Sequence, residues 1–337
     1  MKEIKTLVFS GSGSKIFMHL GFVKYLVENK LFSKVNTFVG TSGGSIVSLL
    51  LSINYDIETL TELFIKLKYE QLEKIDSDSI LNFFDTYGVD TGENMERALR
   101  IMLKNKMGNT HLNFKELYEL TNNSLVVCST NLQRHQEVYF DYINYPELDI
   151  IDAVVMSISI PFIYTPRKYK GDLYVDGGLL SHYPIEYIEN TDIKCDETLG
   201  ILILPDYNIC KNDICENETS RKIEIPTFES YILNVISCPT IKQIKHVYEK
   251  YKNNTVLAIN NNSGLNFNVS TELKTQYIYE AYEYTKKYFE DNQKLEDDKE
   301  IPEENNSSEE EDNSEKQQNS SDDEITISDT IVNSHET

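Results

Sequence analysis

The sequence predicts an α/β fold in three layers (α/β/α), with helices on both faces of a mainly parallel central sheet. Short runs rich in β-branched and aromatic residues alternate with segments of helical periodicity over residues 5–205. Strands that alternate with helices in this way form parallel sheets covered on both faces. The chain has 337 residues, of which 40% are hydrophobic, enough to build the core that such a fold requires.

The first hundred residues contain two strand-to-helix alternations and then further helical segments. We predict a strand at 5–10, a helix at 19–30, a strand at 37–40 and helices at 45–53, 56–72 and 92–104. The helix at 19–30 shows the reasoning, because Leu20, Val23 and Leu26 recur at the spacing of one helical face.

The alternation continues to residue 205 and then changes. We predict strands at 124–131 and 137–141 joined by a turn, a helix at 150–158, and strands at 173–176 and 198–204. Beyond Pro205 we predict a polar loop at 206–221, helices at 228–236, 241–251 and 271–289, and a short strand at 255–259. The last helix is rich in aromatic residues, which we expect to pack on the core rather than to face a membrane. The expected organisation is an α/β domain at 5–205, a helical extension packed on it at 206–290 and an acidic tail at 291–337.

The formal net charge of −23 is unevenly distributed. Residues 291–337 hold 17 acidic and 3 basic residues, a net charge of −14, and contain no aromatic residue. A segment of this composition cannot bury enough apolar surface to fold, so we expect it to be disordered. The acidity of the chain argues against a nucleic-acid partner and gives no overall attraction to anionic lipid.

The sequence also predicts an intracellular protein, soluble or peripherally associated with a membrane. The first nine residues have too short an apolar run for a secretory signal, and Glu3 and Lys5 interrupt it. No run of 18 apolar residues is present, so we expect no transmembrane segment. The five cysteines are odd in number and form no C-x-x-C pair, which favours reduced thiols and gives no zinc spacing.

The sequence G-T-S-G-G at 40–44 carries the strongest functional signal. It lies between a predicted strand and a predicted apolar helix, and a serine in G-x-S-x-G at such a junction is typical of a nucleophile elbow. Gly40 and Gly44 would allow the tight turn, and Ser42 would project at the positive end of the following helix. The alternative is a glycine-rich turn that only packs a helix against the sheet, so partners elsewhere in the chain must decide.

The segment S-G-S-G-S-K at 10–15 is a candidate for oxyanion stabilisation. Its small residues would let backbone N–H groups converge on a developing negative charge. The alternative is a phosphate-binding loop, but the G-K-[ST] of a P-loop is missing, and Ile16 occupies the place of the third glycine of a dinucleotide fingerprint.

A serine nucleophile usually works with a histidine, but another candidate base is available here. The histidines are His19, His111, His135, His182, His246 and His335. His182 follows the predicted strand end Y-V-D-G-G at 174–178, and that strand end itself offers the carboxylate of Asp176 beside two glycines. Ligand sites in open α/β sheets lie at the carboxyl ends of strands. Taken alone, D-G-G also fits an ordinary turn.

Together these segments resemble the patatin-like phospholipase family. The resemblance rests on four blocks in the family's order, which are S-G-S-G-S-K-I-F-M-H-L-G-F-V-K-Y-L at 10–26, G-T-S-G-G at 40–44, S-I-S-I-P-F at 157–162 and D-G-G-L-L-S-H-Y-P at 176–184. Four ordered blocks are more specific than one motif. The resemblance implies the patatin-like version of the three-layer fold and a catalytic domain at 5–205.

The resemblance also implies a catalytic dyad without histidine, in which Ser42 is the nucleophile and Asp176 the general base. It assigns oxyanion stabilisation to the N–H groups of Gly11, Ser12 and Gly13, and the elbow and supporting loops to Gly40, Gly44, Lys15, Gly177 and Gly178. A free aspartate, with a pKa of about 3.9, is a poor base for a hydroxyl, so we expect desolvation to raise the pKa of Asp176. The implied chemistry is attack on an ester carbonyl, an acyl-enzyme and its hydrolysis, with no metal and no cofactor.

Three positions depart from the family's usual pattern. Ser12 stands where the second of three consecutive glycines is usual, and a left-handed backbone there would cost a serine about 1–2 kcal/mol. Ile16 replaces a usual glycine, and we expect its side chain to alter the loop or the acyl entrance. Lys15 stands where arginine is more frequent and lacks its bidentate geometry.

The function that these features predict is lipid acyl hydrolysis, of the phospholipase or lysophospholipase type, on glycerolipid esters at a membrane or micelle surface. A patatin-like lipid-binding or interaction protein with weak or no catalysis is the second hypothesis, motivated by Ser12 and Ile16. An acyltransferase is the third, because it shares the acyl-enzyme and differs only in the acceptor.

Overall fold

A computed structural model describes residues 3–68, 72, 81–205, 228–262 and 269–297 of the chain. Its strands are β1 Thr6–Phe9, β2 Thr37–Thr41, β3 Gly88–Asp90, β4 Ser124–Asn131, β5 Gln136–Phe140, β6 Phe162–Tyr164, β7 Arg167–Tyr169, β8 Asp172–Asp176, β9 Thr198–Leu204 and β10 Thr255–Ile259. Its α-helices are α1 Phe17–Glu28, α2 Gly43–Ser52, α3 Ile57–Lys66, α4 Phe83–Thr86, α5 Glu93–Met107, α6 Phe114–Thr121, α7 Ile150–Ser157, α8 Phe228–Tyr251 and α9 Thr271–Asp297. Contacts divide the chain into Met1–Lys294 and Leu295–Thr337, and the sheet lies in the first unit.

Eight of the described strands form one sheet in the order β10-β9-β1-β2-β4-β8-β7, with β5 also paired to β4. Neighbours from β10 to β4 are parallel. The strands β5, β8 and β7 are attached by antiparallel pairing. β3 and β6 form a separate parallel pair. The mainly parallel sheet that the sequence predicts is therefore confirmed.

The sheet separates two hydrophobic cores. Leu7 and Phe9 of β1 belong to the larger core, together with buried residues of α1, α2 and α7, whereas Val8 belongs to the smaller core with residues of α8. Successive side chains of a strand face opposite sides of the sheet, so structure covers both faces and the three-layer arrangement is confirmed. All seven residues of β9 are buried, as expected for a parallel strand covered on both faces.

The helix α8 differs from its prediction. The sequence predicts two helices, at 228–236 and 241–251, whereas α8 is one helix with Pro239 inside it. A proline removes a single N–H donor, so helical backbone on both sides of it is costly but possible. The next residue, Thr240, donates its hydroxyl to the carbonyl oxygen of Gly178 at 2.9 Å, which fixes this turn of the helix to the loop after β8.

The helix α9 also differs, because it continues to Asp297. Residues 291–297, expected to be disordered, are therefore helical, and their Glu, Gln, Lys and Leu residues are good helix formers. The rest of the predicted tail, 298–337, and the predicted loop at 206–221 lie outside the described residues.

The segment after Pro205 contributes to both the sheet and the larger core. β10 pairs in parallel with β9, and Phe289 of α9 stacks on Tyr25 of α1 with ring centroids 5.4 Å apart. Most aromatic residues of α9 pack against the core as predicted, although Tyr279 is 64% exposed. The division of the chain between 205 and 206 stays a prediction. Within the described ranges, no helix has the length and apolarity needed to cross a bilayer.

Candidate active site

Ser42 occupies a sharp turn between β2 and α2. Its backbone has φ 52° and ψ −126°, a region that side-chain-bearing residues rarely adopt. The flanking glycines are sterically required, because a Cβ on Gly40 would lie 2.4 Å from the carbonyl oxygen of Gly44, and a Cβ on Gly44 would lie 2.5 Å from that of Phe9. The tight packing of the turn therefore holds Ser42 in a strained conformation.

The backbone of Ser42 is fixed by hydrogen bonds with the side chains of two other serines, Ser157 and Ser45. Its N–H donates to Ser157 Oγ at 2.9 Å, and the Ser157 hydroxyl donates to the carbonyl oxygen of Cys128 at 2.5 Å. The Ser45 hydroxyl donates to the carbonyl oxygen of Ser42 at 2.6 Å. In the sequence Ser157 is visible only as the first residue of the block at 157–162, whereas in the structure it orients the elbow.

The strand β4 brings Asp176 to Ser42. Thr41, the residue before Ser42, is in register with Cys128, and the next residue of β4, Ser129, is in register with Asp176. β4 extends beyond the end of β2, and β8 pairs antiparallel only with its last three residues, so β8 ends at Asp176 level with the carboxyl end of β2. The N–H of Asp176 also donates to the carbonyl oxygen of Ser159 at 2.8 Å, so the block at 157–162 holds both residues.

The carboxyl group of Asp176 lies in a buried environment. The residue is 5% exposed, and burial raises its pKa from 3.8 to about 6. Its Oδ1 accepts from the N–H of Gly178 at 2.6 Å. The Ser42 hydroxyl is near enough to lower the pKa, but it does not reach the geometry of a hydrogen bond, and Oδ2 has no partner among the described residues. The carboxyl group thus lies near the Ser42 hydroxyl and has one buried oxygen free to accept a hydrogen bond.

Glycines after Asp176 allow the close approach of neighbouring chain. A Cβ on Gly177 would lie 2.4 Å from the carbonyl oxygen of Cys128, and a Cβ on Gly178 would lie 2.9 Å from Asp176 Oδ1. The two glycines therefore let the loop after β8 fold tightly around the carboxylate.

The glycine-rich loop lies opposite the elbow. A Cβ on Gly43 would be 2.4 Å from Ser12 Oγ, so the loop touches the residue that follows Ser42. The left-handed backbone falls on Gly13, with φ 53°, whereas Ser12 has φ −146°. Ser12 therefore does not have the left-handed backbone that would strain a serine in place of glycine.

One of the three predicted oxyanion donors, the N–H of Gly11, already has a hydrogen-bond partner. The N–H of Gly11 donates to the carbonyl oxygen of His182 at 2.8 Å, so it is already engaged. The N–H groups of Lys15 and Ile16 donate to Ser12 and Gly13 carbonyl oxygens within the turn. This leaves the N–H groups of Ser12 and Gly13 as the candidate donors of this loop.

Lys15 anchors the loop to the C-terminal part of the fold. Its side chain is buried, and Nζ donates to the carbonyl oxygen of Asn260, the residue after β10, at 2.7 Å. Burial lowers the pKa of Lys15 to about 8. The contact spans 245 residues of sequence, and no local pattern predicts it.

His182 and His19 lie near the loop, but both are neutral. A Cβ on Gly11 would be 2.8 Å from His182 Nδ1, so the ring packs against the loop, and burial lowers the pKa of His182 to about 4. His19 contacts the carbonyl oxygen of Ser10 through Nε2 at 3.0 Å, and burial lowers its pKa to about 3. The His182 carbonyl and ring support Gly11, a role that the sequence analysis missed.

Comparison with known proteins points to one family. The family model described as Patatin-like phospholipase matches residues 7–188, more than half of the chain. A protein of Invertebrate iridescent virus 6, "Probable lipid hydrolase 463L", is 35% identical over 189 residues, which are 55% of this chain and 63% of the relative. The human "Patatin-like phospholipase domain-containing protein 4" is 28% identical over 191 residues, 55% of this chain and 68% of the relative.

Other similar proteins cover more of the chain. The protein R571 of Acanthamoeba polyphaga mimivirus is 28% identical over 283 residues, which are 83% of this chain and 91% of the relative. Among solved structures, VipD from Legionella pneumophila has a TM-score of 0.53 at 16% identity, covering 86% of this chain and 67% of VipD. The type III effector protein ExoU has a TM-score of 0.51 at 15% identity, covering 86% of this chain and 53% of ExoU. These structures share the fold.

Proposed function

The chain belongs to the patatin-like phospholipase family, and from this premise we propose that it hydrolyses the carboxylic ester bonds of glycerolipids with Ser42 as nucleophile and Asp176 as general base. The family and the lipid hydrolase relatives support lipid hydrolase activity in general. The observation that carries the assignment of residues is the buried Asp176 carboxylate, which lies near the strained Ser42 and has one oxygen without a partner among the described residues.

In the proposed first step, Ser42 Oγ attacks the ester carbonyl while its proton passes to Asp176 Oδ2. A carboxylate pKa near 6 suits this task, because the group is ionised at neutral pH and yet more basic than an exposed aspartate. The electron pair of the carbonyl moves to its oxygen, which the N–H groups of Ser12 and Gly13 would stabilise. Collapse of the tetrahedral intermediate expels the alcohol, which takes the proton from Asp176 and leaves an acyl-enzyme.

In the second step, water attacks the acyl-enzyme while Asp176 accepts its proton. The acid leaves, and the proton returns to Ser42 Oγ. No metal or cofactor takes part in either step. We further propose that the protein meets its lipid substrate by peripheral contact with a membrane or micelle surface.

The second hypothesis, a binding protein without catalysis, has less support than it had from sequence. It rested on Ser12 and Ile16, and Ser12 keeps its N–H donor without adopting a left-handed backbone. No structural observation favours the acyltransferase hypothesis over hydrolysis.

The test is hydrolysis of phospholipid and lysophospholipid esters in mixed micelles by the wild type and by Ser42→Ala. We expect the variant to lose at least a thousandfold in kcat/KM. Ser52→Ala is a matched control, because Ser52 is also buried, lies at the far end of the helix that follows Ser42, and donates its hydroxyl to the Leu49 carbonyl oxygen. Equal activity of the wild type and Ser42→Ala would contradict the assignment. No activity in either, with no acyl transfer to added glycerol, would favour the binding protein.

A further inference from the structure

An apolar cavity of about 230 Å³ lies between α3 and α5. All of its lining side chains are apolar, and they include Leu63 of α3 and Ala98, Ile101 and Met102 of α5. A cavity of roughly 150 Å³ with such a lining is large enough for benzene. This one therefore has room for several carbon atoms.

The inner wall of the cavity is built from the two elements that form the candidate active site. Ile46 lies four residues after Ser42, on the same side of the helix, and its N–H donates to the Ser42 carbonyl oxygen at 3.4 Å. Ile16 follows the turn of the glycine-rich loop, and its N–H donates to the Gly13 carbonyl oxygen at 3.3 Å. The cavity thus begins one residue beyond the loop and one helical turn beyond the elbow.

The outer end of the cavity reaches the protein surface. Leu63 is 40% exposed and Ile101 is 53% exposed, whereas Ile16 and Ile46 at the inner wall are 2% and 8% exposed. The exposed pair lies on facing helices and forms an apolar rim. The cavity therefore runs from the surface towards the site.

Resting on the proposed function, we propose that this cavity binds the acyl chain of the ester substrate and that Ile16 determines which chain lengths are accepted. A polar head group placed there would lose its hydrogen bonds to water and find no partner in the lining, which excludes the alcohol side of the ester. A hydrocarbon chain has no such cost. Ile16 is almost completely buried and places a branched side chain in the cavity wall directly after the loop.

The proposal sets a measurable dependence on chain length. Each methylene group removed from water contributes about 0.8 kcal/mol, which is about a fourfold increase in kcat/KM. We expect kcat/KM to rise by about this factor for each added methylene until the cavity is full, and then to level off.

Two variants with opposite effects test the assignment on esters that share one alcohol and differ in acyl length. Ile16→Ala should move the plateau to longer chains and raise the ratio of long-chain to short-chain kcat/KM at least fourfold. Ala98→Leu should fill the cavity and lower the same ratio at least fourfold. Leu26→Ala is the matched control for Ile16→Ala, since Leu26 is fully buried, of equal side-chain size and outside the cavity lining.

Thermal unfolding identifies variants that lose stability, and Ile16→Val replaces Ile16→Ala if the latter does not fold. Leu26→Ala should lose stability like Ile16→Ala and keep the wild-type chain-length profile. Ratios within twofold of wild type in both cavity variants would overturn the proposal.

A binding measurement separates this proposal from the proposed function. In the Ser42→Ala background, fluorescence titration with cis-parinaric acid should give saturable binding that Ala98→Leu weakens. Such binding without any hydrolysis by the wild type would overturn the hydrolase and support the cavity. Hydrolysis that depends on Ser42, with an unchanged profile in the cavity variants, would overturn the cavity proposal alone.

Discussion

Replacing Asp176 with asparagine should abolish hydrolysis and yet stabilise the folded protein at alkaline pH. Burial raises the pKa of Asp176 from 3.8 to about 6 in the folded state. Between these values the folded protein holds a proton that the unfolded chain has released, so stability falls as the pH rises through this window. Since one pKa unit corresponds to 1.36 kcal/mol, ionisation of Asp176 lowers the free energy of unfolding by roughly 3 kcal/mol above pH 6.

Asparagine does not titrate, and its side-chain oxygen can still accept from the N–H of Gly178. At pH 4 the unfolded aspartate is already more than half ionised, so the gain in free energy of unfolding from wild type to Asp176→Asn should be roughly 2 kcal/mol larger at pH 8 than at pH 4. Burying the amide has a cost of its own, but that cost is the same at both pH values and cancels. Urea unfolding followed by circular dichroism at the two pH values measures the difference.

Asp172→Asn on the same strand is the control. Asp172 accepts from Asn131 and forms an ion pair with Arg134 at 3.1 Å, so its replacement should give no stabilisation at pH 8. A stability difference between wild type and Asp176→Asn that does not change with pH would refute the claim that the folded protein buries and desolvates this carboxylate.

Three further expectations concern the orienting serine, the pH dependence and the tail. Ser157→Ala removes the acceptor of the Ser42 N–H, so kcat should fall on the order of tenfold with KM nearly unchanged; an unchanged kcat would contradict the orienting role. In the wild type, kcat/KM should rise about tenfold per pH unit up to about pH 6 and then level off, because only ionised Asp176 accepts a proton; a flat profile from pH 4 to 8 would argue against Asp176 as base. Deleting residues 298–337 should leave kcat/KM and the melting temperature nearly unchanged, since this acidic composition builds no core; a large loss of either would show that the segment contributes to the fold or the reaction.

Local patterns in the sequence predicted the layers of the fold and the positions of its main strands along the chain. The turn around Ser42 could be predicted because the glycines that it requires for steric reasons lie within five residues of sequence. Asp176 was a candidate because it ends a predicted strand, and the resemblance assigned it the role of base. Its approach to Ser42 depends on an antiparallel pairing of β8 with β4 that no short pattern encodes.

The parts that could not be predicted depend on contacts between distant segments. Two hydrogen bonds join residues more than 170 positions apart. The N–H of Gly11 donates to the His182 carbonyl oxygen, and Lys15 donates to the Asn260 carbonyl oxygen. The placement of the left-handed backbone on Gly13 instead of Ser12 is a property of the folded loop. For α8 it was the local pattern that gave a wrong prediction. Pro239 predicted a break between two helices, but α8 continues through it as one helix.

The central claim is that Ser42 is the nucleophile, and covalent trapping tests it most directly. A fluorophosphonate probe with a long alkyl chain should add once to the wild type, and peptide mass spectrometry should locate the adduct on Ser42. Asp176→Asn should react far more slowly, and Ser42→Ala should not react at all. Labelling of Ser42→Ala at the wild-type rate, or an adduct on a different residue of the wild type, would contradict the account.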